Sequence, residues 1–120
     1  MRSFANDIAI IVLDRPIPNA VEGVHYVKMW DDVAMGDAIG QEFALAGWGA
    51  AAEIEVGVDW DPIDLHRGYN VVNEIEDNML IYTMDRPEDG GLELESFAHW
   101  GDQGNGALTL VDDELYIIGV

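Results

Sequence analysis

The residues best placed to do chemistry lie in HWGDQGNGAL, residues 99–108. One carboxylate, that of Asp102, stands among three glycines within six positions. Glycine permits a sharp turn or a close approach of the backbone to another group. The side chain of Gln103 is an amide, which is neither nucleophilic nor open to activation by a neighbouring base. The stretch therefore predicts an acidic turn whose backbone either bends sharply or approaches another group closely, and Gln103 gives it no attacking atom.

Other groups that could serve catalysis or bind a metal are few. The chain has no cysteine, which excludes a disulfide framework, a thiolate nucleophile and a thiolate metal site. Its histidines, His25, His66 and His99, are interpreted as surface or loop residues, although His99 could bias a nearby ligand site. The acidic stretches at 31–37 and 59–64 lack the residue order of a calcium-binding EF-hand loop. We predict no metal site and no cofactor.

Composition limits the classes of protein to which the chain can belong. With 120 residues, 49% of them apolar, it is expected to form one globular domain. Twenty-four acidic residues against five basic ones give a formal net charge of −19, which argues against nucleic acids and anionic membranes as partners. No apolar run approaches the length of a membrane-spanning helix. A protein or peptide ligand stays possible.

The elements that must position the acidic turn are predicted to be strands. Short β-branched or alternating runs bounded by Gly, Pro, Asp or Asn are typical of strands. A final run is predicted to form a hairpin with Asp112 and Asp113 at its turn. The intervening acidic stretches 31–41 and 58–68 are predicted to be loops. The strand-like runs are DIAIIVL (7–13), EFALAGWG (42–49), GYNVVNEI (68–75), NMLIYTMD (78–85) and GALTLVDDELYIIGV (106–120).

Four of these stretches, taken in order, resemble the trypsin/chymotrypsin family of serine peptidases. They are NDIAIIVLDRPI (6–17), GWG (47–49), DNML (77–80) and GDQGNGAL (101–108). The first is similar to the segment around the triad aspartate and the last to the nucleophile loop. The resemblance implies an all-β fold: a single partial trypsin-like β-barrel domain over 1–120, incomplete at both ends. It would hold mostly the second barrel and one strand of the first.

The resemblance also implies roles for individual residues. Asp7 matches the triad acid, and Gly101 matches the residue whose N–H helps to form the oxyanion hole. Asp102 matches an acid that pairs with a newly formed N-terminal amine, but no such amine is identified in this sequence, and the alternative is a solvated acid or a turn acid. Gln103 stands at the position of the nucleophilic serine. Phe97 matches the floor of the specificity pocket, where it would give a filled or apolar pocket instead of one for Arg or Lys.

Two functions are compatible with this resemblance. The first is a trypsin-like endopeptidase homologue, inactive as given because Gln103 replaces the serine and no histidine precedes Asp7. Such a chain could be a fragment whose histidine segment was not included. The alternative is a non-catalytic protein-binding module, a pseudoprotease that uses the barrel cleft or its acidic surface. The resemblance alone implies an extracellular location; it does not indicate an oligomeric state.

Overall fold

The computed structural model describes residues 9–18, 26–49, 51–53, 57–59, 65–99 and 101–120. Within these ranges the chain is rich in strands and almost free of helix, as expected for an all-β protein. Helical structure is limited to α1 (Asp32–Met35) and a 3-10 turn at Pro87–Asp89. The strands are β1 (Lys28–Met29), β2 (Glu42–Gly47), β3 (Ala51–Glu53), β4 (Gly57–Asp59), β5 (His66–Val71), β6 (Glu74–Glu76), β7 (Met79–Ile81), β8 (Ala107–Val111) and β9 (Glu114–Gly119).

Five strands form one mixed sheet in the order β1-β9-β8-β2-β5. The pair β1–β9 is parallel, whereas β9–β8, β8–β2 and β2–β5 are antiparallel. Strands β3 and β4 form a separate antiparallel pair, as do β6 and β7. The described strands do not close into a barrel, so the barrel that the sequence predicts is not found in this part of the chain.

The core lies on one face of this sheet. Phe43 of β2 is 1% exposed and stands opposite Asn70 of β5, so that both side chains lie on the same face. The ring of Tyr82 meets that of Phe43 edge-on, with centroids 5.1 Å apart, an arrangement that aromatic pairs favour. Val72 and Ala107 are buried beside Phe43. Alternation of apolar and small residues along EFALAG thus directs the bulkiest side chain of β2 into the core.

The predicted C-terminal hairpin is confirmed. Strands β8 and β9 pair in antiparallel fashion, with Asp112 and Asp113 between them at φ values of 51° and 63°. Two positive φ values in a two-residue loop are the pattern of a type I′ turn, which suits the twist of a hairpin. Asp77 and Asn78 form the same kind of turn between β6 and β7, with φ values of 49° and 62°.

Two predictions about the first third of the chain are wrong. The strand predicted over 7–13 does not form in its described part, since residues 9–13 have no strand partner among the described residues. The predicted loop 31–41 contains α1 instead of being entirely irregular. Asp31 initiates this helix, because its Oδ1 accepts hydrogen bonds from Val33 N and Ala34 N at 3.0 and 3.3 Å. Gly36 ends it at a φ of 82°.

A buried amide fixes the segment that leads to the acidic turn. Asn70 is 2% exposed, and its Nδ2 donates to Thr83 O and Ser96 O, both at 2.9 Å. Next to it, Tyr69 N donates to Leu94 O at 2.8 Å and Ser96 N donates to Tyr69 O at 2.9 Å. Residues 94–96 therefore run along the outer edge of β5, and this edge positions the residues that follow.

Candidate functional site

The acidic turn has the sharp backbone that its glycines predict. Gly101 and Gly104 have φ values of 98° and 86°, a region that residues with a Cβ rarely adopt. The N–H of Asp102 donates to His99 O at 3.1 Å, and the N–H of Asn105 donates to Asp102 O at 2.9 Å. These two local hydrogen bonds tie Asp102 to His99 and Asn105 to Asp102, so that residues 101–105 form a compact loop.

The carboxylate of Asp102 joins this loop to the end of β2. Its Oδ1 accepts hydrogen bonds from Gly49 N at 3.0 Å and from Asn105 Nδ2 at 3.3 Å, while its Oδ2 accepts from His99 N at 3.0 Å. Three donors of the chain itself therefore surround this half-buried acid. Asp102 is a turn acid that stabilises the loop through these hydrogen bonds. The N-terminal amine with which the resemblance would pair Asp102 is not among the three donors.

The GWG stretch is explained by the same contact. A Cβ added to Gly49 would lie 2.4 Å from Asp102 Cγ, and one added to Gly47 would lie 2.2 Å from Asp102 Oδ1. Both distances are far shorter than any real contact of a Cβ atom. A side chain at 47 or 49 would therefore have to displace the carboxylate of Asp102, which approaches the backbone there. The motif is visible in the sequence, but the neighbouring residues give no reason for its two glycines.

Gly101 and Gln103 are brought together in the loop. The N–H of Gly101 donates to Gln103 Oε1 at 2.9 Å. The position predicted for an oxyanion donor therefore already has an acceptor, and that acceptor belongs to the residue at the predicted nucleophile position. In this arrangement Gln103 closes the loop on itself instead of presenting an attacking atom.

A pocket of about 420 Å³ opens beside the loop. It lies between the end of β2, the start of β5 and the segment 94–99. Phe97 is 43% exposed in its wall, and its ring lies 5.6 Å from that of His99. His66 also lines the pocket. The larger apolar side chains in the wall are those of Leu45, Met84, Leu94 and Phe97.

A second carboxylate in the pocket wall, Glu95, was missed by the sequence analysis. Its Oε1 accepts a hydrogen bond from Asp85 N and its Oε2 one from Leu92 N, both at 2.6 Å. Glu95 thus stabilises the turn that joins Asp85 to Leu92, in the same way that Asp102 stabilises the acidic loop. Both carboxylates of the wall bind backbone N–H groups, which is a structural role.

The remaining predicted positions are distributed as follows. Asp7, the proposed triad acid, and His25 lie outside the described residues. Most of the acidic stretch 59–64 also lies outside them, while the stretch 31–37 holds α1 and its capping residues. In the described part of the chain, no group of three or more His, Asp or Glu side chains could hold a metal ion. Across the same residues no helix is long and apolar enough to cross a membrane.

The charged groups with clearly shifted pKa values lie at the other edge of the sheet. The hydrogen bond between Lys28 and Glu114, at 2.5 Å, raises the pKa of the Lys28 ammonium and lowers that of the Glu114 carboxyl. Tyr116 OH donates to the same carboxylate at 3.1 Å, which raises the pKa of the phenol. These groups join β1 to β9 and do not line the pocket.

Comparison of the chain with protein-family models, with curated protein sequences and with solved structures gives no match.

Proposed function

We propose that this chain is a catalytically inactive homologue of trypsin-like serine peptidases that binds a peptide at the pocket beside the acidic loop. Four stretches that resemble the family occur in the family's order, and the strand-rich fold agrees with an all-β origin. The family supplies only the scaffold in this proposal, since fold does not determine function by itself.

The hydrogen bond between Gly101 N and Gln103 Oε1 supports the proposal that the chain is catalytically inactive. Acyl transfer of this type needs an activated hydroxyl or thiol and backbone donors aimed at the oxygen on which charge develops. Here an amide stands in place of the hydroxyl, and the same amide already accepts from the candidate donor. Gln103 therefore removes both the attacking hydroxyl and the free backbone donor that the reaction needs.

The pocket favours a peptide with an apolar side chain. Leu45, Met84 and Phe97 contribute apolar surface to the wall, and its carboxylates, Glu95 and Asp102, already accept backbone hydrogen bonds. Phe97 in this wall is 43% exposed. Aromatic side chains that stay exposed beside a cleft are typical anchors of protein and peptide ligands.

The absence of catalysis is tested with the 120-residue chain and a fluorophosphonate probe. We expect no labelling of any serine and no hydrolysis of peptide esters above background. A stoichiometric adduct would refute the inactive form, because it would identify a nucleophile other than the residue at 103.

Binding is tested by titrating the ¹⁵N-labelled chain with acetyl-Ala-Ala-Phe-amide. The matched control peptide carries Asp in place of Phe. We expect amide shifts at Gly47, Gly49 and Ala98 with the Phe peptide only. Phe97→Ala is expected to weaken binding about tenfold, whereas Leu110→Ala, which removes a 63% exposed side chain of β8, leaves it unchanged. Equal shifts with both peptides would contradict recognition by an apolar pocket.

A further inference from the structure

The wall of the pocket beside the acidic loop contains an arginine, Arg67 of β5. Arg67 is exposed and stands opposite Ala46 of β2, which also lines the pocket. Among the described residues its guanidinium takes part in no ion pair and no hydrogen bond. Lys28 and Arg86, by contrast, each pair with a carboxylate. Arg15 is also unpaired within the described ranges, but it does not line the pocket.

The lack of a carboxylate partner for Arg67 is notable because acidic residues outnumber basic ones by 24 to five. The pocket wall itself holds two carboxylates, those of Glu95 and Asp102. Both oxygens of each already accept backbone N–H groups. The wall therefore combines acids whose oxygens are occupied with a cation whose donors are not.

We propose that Arg67 binds the terminal carboxylate of a peptide whose last side chain is apolar and occupies the pocket. This inference rests on the proposed function and specifies which end of the peptide is recognised. A guanidinium presents its N–H donors in a planar fork that matches the two oxygens of a carboxylate. The last residue of a peptide carries its side chain and its carboxylate on one Cα. A single residue can therefore meet the apolar wall of Leu45, Met84 and Phe97 and also the guanidinium.

The net charge of −19 acts against an anionic ligand, so the range of each interaction decides the balance. At physiological ionic strength, repulsion from charges more than about 8 Å away is largely screened. A charge-assisted hydrogen bond acts at contact and is much less affected. The carboxylate is therefore expected to contribute to affinity in about 0.15 M salt.

Two peptides that differ only at the terminus test this contact: acetyl-Ala-Ala-Phe with a free carboxylate, and acetyl-Ala-Ala-Phe-amide. Both are titrated into the ¹⁵N-labelled 120-residue chain at about 0.15 M salt. We expect the free acid to bind about tenfold more tightly, because it adds a charge-assisted pair that the neutral amide cannot make. The side-chain Nε–H resonance of Arg67 is expected to shift with the free acid only.

Substitution of Arg67 tests whether it causes the preference. In Arg67→Gln the two dissociation constants are expected to differ by less than about twofold, with the affinity for the amide peptide unchanged. Arg67→Lys keeps the charge but not the planar fork, so it is expected to retain only part of the preference. Arg86→Gln is the matched control, since it removes the same charge from an exposed arginine outside the pocket wall. It is expected to keep the tenfold preference of about the native size. Circular dichroism checks that each variant is folded.

The outcomes separate this inference from the proposed function. Equal affinity of the native chain for the two peptides would overturn the role of Arg67 and leave binding of an apolar side chain intact. Binding of neither peptide would overturn both. A preference that persists in Arg67→Gln, or that is lost equally in Arg86→Gln, would assign the effect to another cation or to net charge and so refute the contact.

Discussion

Asp102 accepts a hydrogen bond from the N–H of Gly49, a residue 53 positions earlier in the chain, at 3.0 Å. The same carboxylate binds donors within its own loop, on His99 and Asn105. One side chain therefore determines both the shape of the acidic loop and its position against β2. Removal of this side chain is expected to affect stability before it affects any ligand.

Asp102→Ala is expected to lower the free energy of unfolding by about 2–3 kcal/mol, because hydrogen bonds to a charged acceptor are lost and two half-buried N–H groups lose their partner. Chemical denaturation measures this directly. Glu93→Ala is the control, since it removes an equal charge from an exposed residue nearby. A loss of stability no greater than that of the control would show that the carboxylate does not fasten the loop.

Gly49→Ala tests the close approach of the Asp102 carboxylate to the backbone of Gly49 by changing the glycine instead of the acid. The new Cβ would lie 2.4 Å from Asp102 Cγ, so the carboxylate must move and we expect a loss of about 1–3 kcal/mol. A double-mutant cycle separates this clash from any other cost of the added methyl group. In an Asp102→Ala background the same substitution is expected to cost much less. An equal cost in both backgrounds would exclude Asp102 as the cause.

Local patterns in the sequence were sufficient for some elements and insufficient for others. The β8–β9 hairpin was predicted because alternating apolar residues and the Asp112–Asp113 turn both act over a few residues. The contact of Asp102 with Gly49 could not be predicted, since nothing near either residue specifies a partner 53 positions away. Residues 9–13 have strong β propensity, but a strand also needs a neighbour with which to pair.

The parallel strand β1 is another element that local patterns could not predict. It has only two residues, Lys28 and Met29, and it is held by contacts to β9 near the end of the chain. Lys28 Nζ donates to Glu114 Oε2, and the ring of Trp30 meets that of Tyr116 edge-on at 6.2 Å. These partners are more than 80 residues apart, so the strand follows from tertiary structure.

The Lys28–Glu114 pair makes the stability of the fold depend on pH. The hydrogen bond lowers the pKa of Glu114 below its usual 4.5. The contribution of the Glu114 carboxylate to folding stability is therefore present above pH 4.5 and is lost as the pH falls through the lowered pKa. The same hydrogen bond raises the pKa of Lys28 above 10.5. The contribution of the Lys28 ammonium to folding stability is therefore present below pH 10.5 and is lost as the pH rises through the raised pKa.

Glu114→Gln tests this window by thermal unfolding across pH. The melting temperature of the variant is expected to lie slightly below that of the native chain between pH 4.5 and 10.5, with the difference vanishing beyond both limits. The effect is small because both side chains are more than half exposed. Glu88→Gln, which removes a carboxylate in a looser pair with Arg86 at 3.8 Å, serves as the control. A difference that grew below pH 4.5 would contradict the sign.

The hairpin turn can be improved by a single substitution. Asp113 has a φ of 63°, which glycine adopts at no steric cost, and Asp-Gly is a preferred pair for this turn. Asp113→Gly is expected to stabilise the chain by about 0.5–1 kcal/mol in denaturant unfolding. Asp113→Asn removes the same charge but keeps the Cβ, so it separates backbone strain from repulsion. An equal gain from both variants would attribute the effect to charge.

The contact between Gln103 and Gly101 predicts a measurable change in amide exchange. Gln103→Met keeps the length of the side chain but has no oxygen to accept the Gly101 N–H. Loss of a hydrogen bond of about 1 kcal/mol is expected to speed exchange of this amide about fivefold, because the N–H then opens to water more often. Gln103→Glu retains an acceptor and is expected to keep the exchange slow. NMR exchange rates of Gly101 and of Leu108, in paired strand β8, are compared in all three chains. Unchanged exchange at Gly101 in the Met variant would show that Gln103 does not occupy this donor in solution, and the N–H would then be open to a ligand.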